Sequence, residues 1–224
     1  MDTPLLETIE AQTGANPSAS VIWMHGLGAD GHDFEPVVPE LRLPSSLPVR
    51  FIFPHAPVRR VTLNNGMAMR AWYDILELGG VREDGEGLRD SQSSIEALIA
   101  KEVSRGIPAE RIVLAGFSQG GAITFQAGLR HPQRLAGLMA LSTYLPLAGT
   151  VEAERHAANL DVPIFMAHGS SDPMIAIGRA QQSRKMLEAL GYEIEWHEYP
   201  MPHSVCPREI VDISAWLVKV LGQA

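Results

Sequence analysis

The chain has 224 residues, 46% of them hydrophobic and 20% charged, which supplies apolar material for one sizeable core and rules out an intrinsically disordered chain. A formal net charge of -8, with Lys and Arg scattered, argues against the broad cationic surface of a non-specific nucleic-acid binder. The single cysteine, Cys206, excludes an internal disulfide.

At the start of the chain, MDTPLLETIE lacks the basic start and apolar run of a secretory signal. No later stretch approaches the roughly 18 apolar residues of a membrane span, so a cytoplasmic protein without stable membrane insertion is expected. Short segments rich in Val, Ile, Leu and Phe then alternate with longer amphipathic ones. Strands are expected at residues 21–24, 49–53, 111–115, 138–141, 164–167 and 193–199, and helices at 33–41, 90–104, 119–129, 151–158, 175–189 and 207–220. This alternation is the pattern of a mostly parallel central sheet flanked by helices, in one α/β domain over residues 1–224. Asp90 suits the cap of the second helix, whose Ile95, Leu98 and Ile99 share a face. Residues 54–87 carry the turn formers Asn64-Asn65-Gly66 and Gly79-Gly80 and read as surface loops that shape a site.

The chemistry concentrates at strand ends. In Gly116-Phe117-Ser118-Gln119-Gly120 an apolar strand delivers Ser118 to a tight bend, and the flanking glycines leave room for its backbone conformation. The helix that follows directs its first amides at developing negative charge. A capped strand-to-helix turn explains the serine alone, but it does not require an acid and a base downstream. Asp172 lies just beyond the strand expected at 164–167, and His203 lies between the last strand and the last helix. The chain order Ser118, Asp172, His203 is that of the α/β-hydrolase fold, with Ser118 as nucleophile, His203 as base and Asp172 orienting the imidazole. His25, His55 and His168 fall in other strand-end regions and are less suited to act as the base.

An oxyanion needs donors, and the amides of Gln119, next to the nucleophile, and Leu27, between Gly26 and Gly28, are the candidates. Leu63, Met67, Trp72, Tyr73 and Leu145 are candidate walls of a hydrophobic substrate groove, with a packing cluster as the competing reading for the aromatic and Met residues. The chain has no P-loop or full dinucleotide fingerprint, and its scattered His and acidic residues form no persuasive metal pattern, so no cofactor or metal is expected.

With His25-Gly26-Leu27-Gly28-Ala29-Asp30, Ala71-Trp72-Tyr73-Asp74, Gly116-Phe117-Ser118-Gln119-Gly120-Gly121, His168-Gly169 with Asp172-Pro173, and His203-Ser204 with Cys206, nearly the whole chain resembles a bacterial carboxylesterase of the phospholipase/carboxylesterase family, similar to acyl-protein thioesterases. The resemblance implies the same Ser118, Asp172 and His203 assignments, a compact hydrolase without a separate lid domain, and leaves a homodimer open. Met201-Pro202 and Met174-Ile175 depart from the residues usual in that family and bear on substrate preference. The expected activity is a serine carboxylesterase acting on an acyl ester. An acyl-protein thioesterase or lysophospholipase is the nearest alternative, and a non-enzymatic binding protein with the same fold a more distant one.

Overall fold

Strand-length apolar runs become a seven-stranded sheet in a computed structural model that describes residues 4–77 and 82–222; the Gly79-Gly80 turn lies outside the described residues. The sheet comprises β1 (Thr8–Gln12), β2 (Ala19–Met24), β3 (Val49–Pro54), β6 (Ile112–Phe117), β7 (Gly137–Leu141), β8 (Ile164–Gly169) and β9 (Ile194–Tyr199), in the order β1-β3-β2-β6-β7-β8-β9. All neighbours are parallel except β1 and β3. A separate antiparallel hairpin joins β4 (Val58–Val61) to β5 (Met67–Arg70).

Successive strand residues point to opposite faces, and both faces are buried, which is why the central strands are almost continuously apolar. Ile22, Met24, Leu114 and Met166 pack on one side with Ile95 and Leu98 of α1 (Gly85–Ser104), Ile123 of α2 (Gln119–Gly128) and Leu187 of α4 (Ile177–Ala189). Their neighbours Val21, Trp23, Val113 and Phe165 pack on the other with Val38 and with Ile213 and Leu217 of α5 (Pro207–Leu221).

The order of strands fixes where a ligand fits. The chain leaves β2 to form β3 on one side, then returns to place β6 on the other, so the order reverses between β2 and β6. At such a reversal the connections diverge and open a crevice beyond the carboxyl ends of the strands. Met24 pairs with Gly116 at that end, which puts the loop beginning at His25 beside the turn that carries Ser118.

Several boundaries differ from expectation. The helix expected at 33–41 is a 3-10 helix, Glu35–Leu41, because Pro36 and Pro39 lack the amides that an α-helical ladder requires. Helix α1 starts earlier than Asp90, since Asp84 caps it by accepting the Gly87 amide at 2.9 Å. The helix expected at 151–158 stops as α3 (Val151–Glu154), where Arg155 turns extended and His156 caps a separate 3-10 turn, Ala157–Asn159. Residues 54–87 hold the β4–β5 hairpin and the start of α1.

Candidate active site

Ser118 sits between β6 and α2 with φ 54° and ψ -118°, a conformation costly for a residue with a Cβ. Hydrogen bonds from the Ser118 amide to the Leu141 carbonyl (2.9 Å), and from Thr143 Oγ1 and the Ala122 amide to the Ser118 carbonyl (2.7 and 3.2 Å), hold it there. The flanking glycines serve by close approach instead of by their own dihedrals. A Cβ on Gly116 would lie 2.2 Å from the Gly120 backbone, and one on Gly120 2.2 Å from the Met24 carbonyl oxygen. The turn therefore folds back on the end of β2 and the beginning of α2.

Asp172 and His203 meet although 31 residues separate them. Because an ionised carboxylate only accepts, His203 Nδ1 donates to Asp172 Oδ2, at 2.6 Å, and Nε2 is left with the lone pair. The amides of Met174 and Ile175 donate to Oδ1 at 2.8 and 2.9 Å, so both carboxylate oxygens have partners. Burial alone would raise the Asp172 carboxyl. The Ile175 amide, His203 and the Met174 amide outweigh that effect and hold it below the usual aspartate range. Gly169 permits the approach of the His203 loop, since a Cβ there would lie 2.4 Å from the Met201 and Pro202 carbonyl oxygens. Met201, which departs from the family pattern, is buried against the β8–β9 side of the core.

The other strand-end histidines, His25, His55 and His168, have partners of their own. His25 Nε2 accepts from the Ala56 amide at 3.0 Å, so its Nδ1 carries the proton and donates to the Gly26 carbonyl at 2.7 Å. Burial pushes its pKa down and keeps it neutral in that role. His168 is buried behind the acid loop, its Nε2 2.8 Å from the Ile175 carbonyl oxygen and 3.3 Å from Asp172 Oδ2. His55 accepts the Gly31 amide at 3.1 Å.

Gln119, expected to contribute its backbone amide, also ties the site together through its side chain. Oε1 accepts the Trp72 amide at 3.0 Å and Nε2 donates to the Tyr73 carbonyl at 2.7 Å. Trp72 in turn donates from Nε1 to the His25 carbonyl at 2.9 Å, while Ser91 donates to the Trp72 carbonyl. Nothing local in the sequence marks this role; it follows from the burial of Gln119, because a buried amide must find partners for both its donor and its acceptor.

A cavity of about 370 Å³ unites these elements: Gly26, Leu27, Ser118, Gln119 and His203 all line it. Of the candidate wall residues, Leu63 and Tyr73 line it. The other three lie elsewhere. Trp72 is wholly buried under the loop it braces, Leu145 packs in the core with its amide donating to Ser183 Oγ, and Met67 is 64% exposed on the hairpin. Met174 and Ile175, expected to bear on substrate preference, also line the cavity, as do Ile75, Tyr144 and Arg179, which the sequence did not single out. Leu27 lies between two anchored neighbours: the Ala29 amide donates to the Gly26 carbonyl (3.3 Å) and the Gly28 amide to the Arg70 carbonyl (2.9 Å). Among the described residues no group of three or more His, Cys, Asp or Glu is placed to hold a metal ion, and no helix is long and apolar enough to cross a membrane.

Comparison with known proteins agrees with this architecture. Residues 7–221 match the sequence family described as Phospholipase/Carboxylesterase. An acyl-protein thioesterase 1 from Mycosarcoma maydis is 41% identical over 229 residues, 95% of each chain. The crystal structure of Arabidopsis thaliana SOBER1 superposes with a TM-score of 0.86 at 30% identity, covering 91% of this chain and 99% of that one. Zea mays acyl-protein thioesterase 2 superposes with a TM-score of 0.83 at 26% identity, covering 96% and 99%. The fold is thus the α/β-hydrolase fold, with its mostly parallel sheet flanked by helices.

Proposed function

Because the chain belongs to the phospholipase/carboxylesterase family, we propose that it is a serine-dependent hydrolase of carboxylic esters that works through an acyl-enzyme on Ser118. One observation carries this reading. The His203 imidazole, held in its Nδ1–H tautomer by Asp172 at 2.6 Å, lines the same cavity as a serine forced into a strained turn at the strand-order reversal. Strain that surrounding bonds over-determine is characteristic of functional positions, and a capped turn alone gives no reason for it.

In this mechanism His203 Nε2 takes the Ser118 proton as Oγ attacks the acyl carbonyl, and Asp172 stabilises the imidazolium that forms. The amides of Leu27 and Gln119 take the negative charge of the tetrahedral oxygen; Gln119 opens α2, so its amide has no partner within the helix. The imidazolium next protonates the departing alcohol or thiol. His203 then deprotonates a water that attacks the acyl-enzyme, and returns that proton to Ser118 Oγ as the acid is released. Leu63, Ile75 and Met174 offer apolar wall for an acyl chain.

A second reading, acyl-protein thioesterase, is favoured by the curated relatives of that name at 41% identity. It shares every catalytic step and differs in the leaving group. The test is Ser118→Ala assayed against matched ester and thioester substrates, with intact-protein mass spectrometry of the unmodified enzyme during turnover. Turnover falls by more than about 10⁴-fold while the melting transition is retained, and the acyl mass resides on the Ser118 peptide. Hydrolysis by Ser118→Ala at near the normal rate refutes the reading.

A further inference from the structure

One group on the cavity wall is left without a role by acyl transfer. Arg179, near the start of α4, stacks its guanidinium 3.3 Å from the centre of the Tyr144 ring, and both line the cavity with Tyr73. Among the described residues no carboxylate lies within ion-pair distance of Arg179. A guanidinium stacked by its face still presents its N–H donors along its edge, in the fork geometry that matches a carboxylate.

The neighbouring hydroxyls add to this. Tyr73 and Tyr144 hydroxyl oxygens are 2.9 Å apart, so one donates to the other and the acceptor's own proton remains available to a ligand. Burial raises both phenols, which therefore stay protonated donors. The acids of the lining compete weakly for the guanidinium. Glu83 feels the Arg179 charge, but it accepts the Leu147 amide at 2.9 Å and burial raises it on balance; both Asp74 oxygens are taken by Thr62, and Glu77 accepts the Arg82 amide. Asp33, also on the lining, is raised by burial.

We propose that Arg179 and the Tyr73–Tyr144 hydroxyl pair form a carboxylate-recognition subsite, so that preferred substrates are acyl esters or thioesters carrying an anionic group a few bonds from the scissile carbonyl. This rests on the hydrolase reading above and narrows its substrate class. The carboxylate belongs either to the acyl chain or to the leaving alcohol, and the two sources are separable.

The test compares kcat/KM for length-matched pairs. On the acyl side these are ethyl hydrogen glutarate against ethyl valerate; on the alcohol side, the valerate ester of 3-hydroxypropionate against propyl valerate. The unmodified enzyme favours the anionic member of at least one pair by about tenfold or more, as a charge-assisted hydrogen bond provides. Arg179→Met cuts that ratio by about tenfold, Arg179→Lys by less, and Tyr144→Phe, which keeps the ring under the guanidinium, lowers it in the same direction. A ratio at or below one in both pairs, or one that Arg179→Met and Tyr144→Phe leave unchanged, overturns the subsite and leaves the hydrolase reading standing. No turnover of any ester and no acyl adduct on Ser118 brings down that reading, and the subsite with it.

Discussion

Replacing Asp172 with Asn tests the acid loop at its most exact point. The asparagine side chain keeps one oxygen, and two arrangements compete for it. In one, the oxygen stays with the Met174 and Ile175 amides, which donate to Oδ1 at 2.8 and 2.9 Å, and the NH₂ faces His203. In the other, the oxygen faces His203 and the NH₂ points at two N–H donors, which forfeits two buried hydrogen bonds to save one. At about 1 to 3 kcal/mol for each buried group left unsatisfied, the first arrangement wins. The NH₂ then meets His203 Nδ1, now 2.6 Å from the carboxylate, and the imidazole responds by moving its proton to Nε2. A protonated Nε2 cannot accept the Ser118 proton. Loss of the correct tautomer costs about 10⁴ in kcat, or about 5 kcal/mol of transition-state stabilisation, while KM changes little. Steady-state kinetics on a small activated ester, with circular dichroism to verify the fold, measures this. A kcat for Asp172→Asn within about tenfold of the unmodified enzyme refutes the argument.

Two further outcomes follow from packing and burial. Gly120→Ala places a Cβ 2.2 Å from the Met24 and 2.7 Å from the His25 carbonyl oxygens, both backbone, so the end of β2 must move; it destabilises by about 2 kcal/mol and lowers kcat, read from a denaturant titration and an esterase assay, and an unperturbed variant contradicts the close-approach account. Glu209 is buried at the start of α5, and burial outweighs the Cys206 backbone amide and pushes its pKa up to about 8. The unfolded chain releases this proton near pH 4.3 and the folded one near 8, so the unfolded state binds fewer protons across that window and stability falls as pH rises, by about 1.4 kcal/mol per unit, levelling off above pH 8. Glu209→Gln, which does not ionise, therefore gains melting temperature relative to the unmodified protein between pH 5 and 9; a constant difference across that range rejects the buried-acid account.

The sheet and the Ser118 turn were legible because several levels of sequence information coincide there. Ile112-Val113-Leu114-Ala115 is apolar throughout since both its faces are buried, and the glycines at 116 and 120 stand where two backbones touch. The places of Asp172 and His203 after strands were legible, because parallel connectivity sends the carboxyl ends of the six parallel strands to one edge of the sheet. Strand β1 was not: Thr8–Gln12 is an edge strand with polar residues at alternate positions, so no apolar run marks it. The walls were only partly legible for a different reason. Trp72 and Tyr73 are adjacent and both buried, and which of them meets the cavity is decided by the Gln119 side chain, 46 and 47 residues away, gripping the peptide on either side. No local period encodes such a choice. Arg179 likewise shows no amphipathic signal, since its partner is the face of an aromatic ring on another crossover.

Nucleophile geometry and wall chemistry are also linked through one short stretch after β7. The unusual Ser118 backbone costs about 1 to 3 kcal/mol, and the bonds to Leu141, Thr143 and Ala122, at about 1 kcal/mol each, are of the size needed to offset it. Two of these three come from residues 141–143, and the next residue, Tyr144, stands under Arg179 in the cavity wall. A displacement of this stretch therefore cannot reshape the wall without loosening the serine. Substitutions that alter Tyr144 through its backbone should lower kcat as well as change selectivity, whereas those confined to the tip of its ring, such as Tyr144→Phe, should act on selectivity first. The separation of these two effects in kinetics follows from the peptide path between them, a link that the wall at Leu63, carried by the β4–β5 hairpin, does not share.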